Sequence, residues 1–126
     1  MNRADRDSLM RLRDALREFA DARDWQQFHT PKNLAMALIG EAAEVVEHFQ
    51  WRTPEDSQSL PPEDHAAVAL ELADVLLYLV RLADVMDIDL AEAATRKMAL
   101  NAERYPVAAS RGRADKHHRL PRTDPA

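Results

Sequence analysis

The chain has no cysteine and only two glycines, Gly40 and Gly112, in 126 residues. Without a thiol there is no disulfide staple, no thiolate nucleophile, and no Cys-ligated zinc or iron–sulfur centre. Phosphate-cradling loops need several glycines so that backbone N–H groups can approach the anion, which excludes P-loop and dinucleotide-fold chemistry. A phosphate handled by this chain would have to meet metal ions and cationic side chains instead. Long uncharged apolar runs are also missing. The most apolar stretch, residues 66–80, is interrupted by Glu71 and Asp74, so no membrane span is expected. The opening MNRADRDSLM carries acids and has no apolar core, unlike a signal peptide. A cytoplasmic protein is the expectation.

What is present is a mixture suited to a globular domain: 46% hydrophobic and 31% charged residues, with a net charge of −5. The charge is uneven. Residues 107–126 hold Arg111, Arg113, Lys116, Arg119 and Arg122 against Asp115 and Asp124, a net +3, which leaves −8 for the remainder. An acidic body disfavours a nucleic-acid polymer as partner and leaves room for cations.

Apolar residues recur at helical spacing in four blocks, and strand signals are weak. The first predicted helix runs from about Arg6 to Arg23, with Leu9, Leu12, Leu16 and Phe19 on one face. The segment DWQQFHT breaks that pattern, and Thr30-Pro31 offers an N-cap followed by a proline at the first helical position. A second helix follows to about Trp51. After the polar loop RTPEDSQSLPP, a third runs from about Pro62 to Met86. A fourth, with Asp89 as N-cap, reaches Arg104 before Tyr105-Pro106 stops it. The expected architecture is an all-α, four-helix bundle-like domain over residues 1–106 with an irregular basic tail over 107–126.

The third helix carries the most chemistry. Arg81, Asp74, Tyr78 and Glu71 fall within about 80° of arc, and apolar residues cover most of the rest. A helix apolar on most sides is covered in one core or in an oligomer, so the two carboxylates on its narrow polar stripe need a cation or a proton. On the second helix, Glu41 and Glu44 flank the apolar stripe Leu34, Leu38, Ala42, Val45 and Phe49. Gly40 beside them is costly inside a helix, which would be tolerated if another backbone approached closely. Thus Glu41-x-x-Glu44 and Glu71-x-x-Asp74 offer four oxygen ligands, a set suited to Mg²⁺ or Mn²⁺ rather than zinc. The bland alternative is two solvated helix faces. Ferritin-like di-iron chemistry is excluded, because the residues three before His48 and His65 are Val45 and Pro62, not Glu.

These motifs, within the segments DWQQFHTPKNLAMALIGEAAEVVEHFQW, ELADVLLYLVRLADVMDIDL and RKMALNAERYPVAASRG, resemble the MazG-like all-α nucleotide pyrophosphohydrolases, and within them the dCTP pyrophosphatase branch. The similarity covers roughly residues 8–116. It implies Mg²⁺-dependent hydrolysis of a nucleoside triphosphate to the monophosphate and pyrophosphate, by a homodimer or homotetramer. The metal ligands would be Glu41, Glu44, Glu71 and Asp74. Water would then be activated either by a second metal ion or by a carboxylate base, Glu44 or Glu41. By the same resemblance Trp25, His29, Trp51 and Tyr78 hold the base, and Lys97, Asn101, Tyr105 and Arg111 meet phosphates or sugar; Ser110, Gly112 and Lys116 also fit the pattern. For Trp25 and Trp51 the alternative is a hydrophobic lid on a helix end. For His29 it is a plain surface position. One departure stands out: where the branch has a histidine in the middle of the first helix, this chain has Leu16, which bears on base preference. The loop between the second and third helices is also shorter than in animal relatives. Two other functions compete: the same reaction on another base, such as dUTP or a damaged nucleotide, and a nonenzymatic helical module whose third helix only mediates oligomerisation.

Overall fold

The structure, a computed structural model, describes residues 2–120, and every element among them is helical. The tail residues Arg122 and Asp124 lie outside the described residues. Six α-helices are present: α1 (Arg3–Ala22), α2 (Pro31–Glu47), α3 (Pro54–Ser57), α4 (Pro62–Val85), α5 (Leu90–Arg104) and α6 (Val107–Ser110), with 3₁₀ turns at Gln26–Phe28 and His117–Arg119. The all-α expectation holds. No helix among the described residues is long and apolar enough to cross a membrane.

The boundaries follow from local chemistry. α1 starts three residues earlier than the apolar pattern indicated, because Asn2 and Asp5 form a reciprocal capping box. Thr30 caps α2 as the sequence predicts, its Oγ1 accepting the Asn33 N–H at 3.2 Å, with Pro31 in the first turn. α2 ends at Glu47 rather than Trp51. Residues 48–51 continue as turns, and the following loop contains a one-turn helix, α3, capped by Thr53. A run of apolar residues cannot reveal such an end, since turns bury side chains as well as helices do. The segment expected to be an irregular tail likewise contains two single turns, α6 and the 3₁₀ turn at His117–Arg119.

The scarcity of glycine shows in how α1 and α4 stop. Asp24 (φ 54°) and Asp87 (φ 55°) take the left-handed position that glycine usually fills. In each case the next N–H reaches back five residues round the turn: Trp25 to Ala20 at 2.9 Å, Ile88 to Ala83 at 2.8 Å. At α1, the Gln27 side-chain amide donates to the Asp24 carbonyl and carboxylate, which holds the loop that carries Trp25 and His29.

Two compact units result, Asn2–Asp89 and residues 90–120. In the first, α4 packs on α2 and α1, around the buried Ala20, Leu34, Val80 and Ala83. In the second, Ala91 of α5 and Ala109 of α6 are buried. The chain itself covers α4 only in part, for Leu70 is 71% exposed and Leu72, Leu76 and Leu79 are exposed as well. Gly40 is exposed, and a Cβ placed there would meet nothing within 4 Å. The close backbone approach expected at Gly40 is therefore not made by the described residues of this chain.

Candidate active site

Packing of α2 on α4 brings three of the four predicted ligands together. Carboxylate oxygens of Glu41, Glu44 and Glu71 all lie within 4.8 Å of one another. Glu71 is 24% exposed in its side chain, and the Oε2 atoms of both Glu41 and Glu71 are buried without a hydrogen-bond partner. Glu44 is exposed, and it shares hydrogen bonds with each of the other two. Both half-buried carboxyls are pushed above the ordinary glutamate range. For Glu41 the main cause is burial, followed by its hydrogen bond with Glu44 and the charges of Glu44, Asp74 and Glu71. For Glu71 the hydrogen bond with Glu44 leads, then burial and the charges of Glu44 and Asp74. His48 Nε2, 4.0 Å from Glu71 Oε1, opposes that rise.

A buried oxygen with no donor is costly, and two within one acidic cluster are relieved by a proton or by a shared cation. The donor set is oxygen only, which fits Mg²⁺ or Mn²⁺. The residues present therefore fit a hard divalent ion on the evidence of their own unpaired atoms.

Asp74 lies outside the three-carboxylate group, although its charge reaches Glu41 and Glu71. It lines an adjoining cleft of about 260 Å³, together with Leu16, Phe19, Trp25, His29, Leu77, Tyr78 and Arg81. So Trp25, His29 and Tyr78 are brought to one cleft by the α1–α2 loop and α4. The rings of Trp25 and Phe19 meet edge to face at 5.6 Å, and those of Trp25 and His29 at 6.3 Å. Trp51 is not part of this cleft; it sits on the turns after α2 and is 90% exposed. Lys97 and Asn101 are exposed on α5, Tyr105 follows at its end with its ring 6.1 Å from that of His117, and Arg111 is exposed after α6.

The cleft rests on a polar group that sequence reasoning did not single out. Arg81 is only 7% exposed. Its Nε donates to His29 Nδ1 at 3.0 Å and its Nη1 to Asp84 Oδ2 at 3.3 Å. Asp84 also takes a forked pair of bonds from Arg17 of α1, with the Nε–H at 2.7 Å. The hydrogen bond from Arg17 holds the Asp84 carboxyl below the usual aspartate range, against its burial. Burial, then the charge of Arg81, lowers His29. The available signal was Arg81 on the same narrow stripe as Asp74 and Tyr78, a cation where an otherwise apolar helix has few polar positions.

Comparisons with known proteins bear on the family and the fold. Residues 39–120 match the model of the MazG-like family. Mouse dCTP pyrophosphatase 1 (Mus musculus) is 51% identical over 107 residues, which is 83% of this chain and 63% of that protein. The human protein of the same name (Homo sapiens) is 46% identical over 106 residues, 82% of this chain and 62% of that one. The chain thus spans less than two thirds of the length of these relatives. Among solved structures, a pyrophosphatase from Archaeoglobus fulgidus aligns with a TM-score of 0.74 and 44% identity, over 79% of this chain and 93% of the other.

Proposed function

The chain belongs to the MazG-like family, and from that premise we propose that it is a nucleotide pyrophosphohydrolase dependent on Mg²⁺, with Mn²⁺ as a substitute. Its reaction is dNTP plus water to dNMP plus pyrophosphate, with dCTP or a base-modified dCTP as substrate, in house-cleaning of the cytoplasmic nucleotide pool. The observation that carries this reading is the pair of buried, unpartnered oxygens on Glu41 and Glu71 within one three-carboxylate cluster. The names of the relatives support the pyrophosphatase activity and the dCTP preference.

Glu41, Glu44 and Glu71 would hold the ion, with Asp74 contributing from the edge of the cleft. When bound, a divalent cation supplies neutralisation of the triphosphate and of the charge that builds on the pyrophosphate leaving group. Glu44 or Glu41 takes the proton from the attacking water, a role worth roughly 10²–10⁴-fold. Trp25 and Tyr78 offer ring faces and His29 a polar edge to a nucleobase in the cleft. On resemblance alone, Trp51 is a further base contact and Lys97, Asn101, Tyr105 and Arg111 are phosphate or sugar contacts. A homodimer or homotetramer belongs to the same proposal. A second copy covering the exposed leucines of α4 would gain about 1.5–3 kcal/mol for each side chain fully buried.

Leu16 lines the cleft, and this apolar residue favours a second reading in which the preferred base differs, as in dUTP or a damaged nucleotide. One experiment tests both. Pyrophosphate release is measured on a panel of dNTPs and NTPs, with and without Mg²⁺. Mg²⁺-dependent release is expected with dCTP highest in kcat/KM, and a loss of about 10²-fold or more in Glu41→Gln. Absence of turnover on every nucleotide refutes the enzyme and leaves the helical oligomerisation module.

A further inference from the structure

We propose that Arg81 is a positioning residue that locks His29 as a neutral imidazole with its proton on Nε2, so that the cleft presents a fixed hydrogen-bond donor to the edge of a bound ring. A guanidinium Nε always carries hydrogen and cannot accept. At 3.0 Å from His29 Nδ1 it needs a lone pair there, so Nδ1 is unprotonated and the proton of a neutral ring sits on Nε2. A doubly protonated ring would lose that bond and set a second cation against a buried guanidinium. The direction in which His29 is shifted, by burial and by Arg81, agrees.

Arg81 is itself held in place. Asp84 accepts from it on α4, and Arg17 anchors Asp84 from α1. The chain Arg17–Asp84–Arg81–His29 therefore joins two helices and the α1–α2 loop into one relay of oriented donors and acceptors. Its end is the His29 ring in a cleft whose walls are mostly apolar, Leu16, Phe19, Trp25, Leu77 and Tyr78, with the Asp74 carboxylate also on the lining. The ligand chemistry that matches is a flat ring with an acceptor, a carbonyl oxygen or a ring nitrogen, at its edge. In a mostly apolar cleft a donor left unmet costs more than it returns when met, which turns a single N–H into a discriminator. This use of the donor rests on the nucleotide reading above; the tautomer does not.

The test separates the two. The metal-free, full chain is labelled with ¹⁵N-histidine and its long-range ¹H–¹⁵N spectrum recorded near neutral pH, with His29 assigned by its loss in His29→Gln. The expected result is a pyridine-like Nδ1 and a pyrrole-like Nε2. A proton on Nδ1, or an even mixture of tautomers, overturns the lock. In Arg81→Met the His29 signals are expected to shift to mixed tautomers, with a rise of about tenfold in KM for the best nucleotide and kcat within about twofold. Arg81→Lys, which keeps a donor, is expected to recover most of the KM. A folded Arg81→Met with unchanged KM overturns the role of the donor. If no nucleotide is turned over, the functional reading falls while the wild-type spectrum still decides the lock.

Discussion

Asp84→Asn removes the negative charge that faces the buried Arg81 beside the cleft. Asp84 is 8% exposed in its side chain and faces two guanidiniums, Arg17 in a forked bond and Arg81 at 3.3 Å. Asparagine keeps the shape and one acceptor but removes the charge. Arg81, equally buried, would lose its carboxylate partner and keep neutral acceptors, the amide oxygen and the His29 ring. Breaking a buried pair by removing one partner costs about 3–5 kcal/mol, because a charge stays behind without compensation. The retained amide oxygen puts the expectation at about 3 kcal/mol, or roughly 9–15 °C in Tm for a chain of this size. Urea and thermal melts followed by circular dichroism, at one fixed protein concentration, measure it. The pH dependence supplies a signature. The hydrogen bond from Arg17 holds the folded carboxyl below the unfolded value, so its contribution is fully present above the ordinary value of about 3.9 and is lost as pH falls through the folded one. The gap between wild type and Asp84→Asn is therefore expected to be flat from pH 5 to 8 and to narrow below about pH 4. Adding Arg81→Met should return part of the loss, since no buried charge then remains unpaired. A gap under about 1 kcal/mol at pH 7, or one that persists unchanged at pH 3, refutes this reasoning.

Two further outcomes follow from the site and from α2. Folded-state values of Glu41 and Glu71 lie above the unfolded ones, so metal-free stability should decline as pH rises through them, and Mg²⁺ at 100 times its Kd should raise stability by about 2.7 kcal/mol, more visibly at pH 8 than at pH 5; calorimetry in which Mg²⁺ leaves Tm unchanged would count against the ligand set. Gly40→Ala has open space around its Cβ and should stabilise the isolated chain by about 0.5–1 kcal/mol, whereas a loss in the same denaturation assay would mean that a second chain covers this face of α2.

The parts of the fold legible in the sequence are those with a local cause. Thr30-Pro31 begins α2 because the cap and the proline act within one turn. The recurrence of apolar positions at helical spacing in residues 62–85 needs no partner to be recognised as helix. The end of α2 at Glu47 was not legible, because His48–Trp51 continue an apolar face through turns whose hydrogen bonds span only a few residues. Nor was α3, one turn long, which depends on Thr53 capping Asp56. The stops at Asp24 and Asp87 were hidden for a different reason: glycine marks this position in most chains, and here aspartate takes the strain of a positive φ.

The candidate site divides along the same line between local and tertiary causes. Four acids in two i, i+3 pairs are a sequence pattern, but which of their oxygens meet depends on the register of α2 against α4. That register gathers Glu41, Glu44 and Glu71 and turns Asp74 to the cleft, a split that spacing alone cannot express because Glu71 and Asp74 share one narrow polar stripe of the helix. Arg81 makes the point more strongly. A buried arginine is stable only where partners meet it, and here they come from His29 of the α1–α2 loop and from Asp84, itself secured by α1. Every partner but one is more than fifty residues away along the chain, so no local pattern announces the group. The same dependence on distant partners gives the cleft its order: the donor on His29 keeps its direction only while α1, the α1–α2 loop and α4 all hold their places. A chain without a glycine-rich phosphate loop must draw binding precision from side chains, and side chains acquire that precision from tertiary hydrogen bonds such as these.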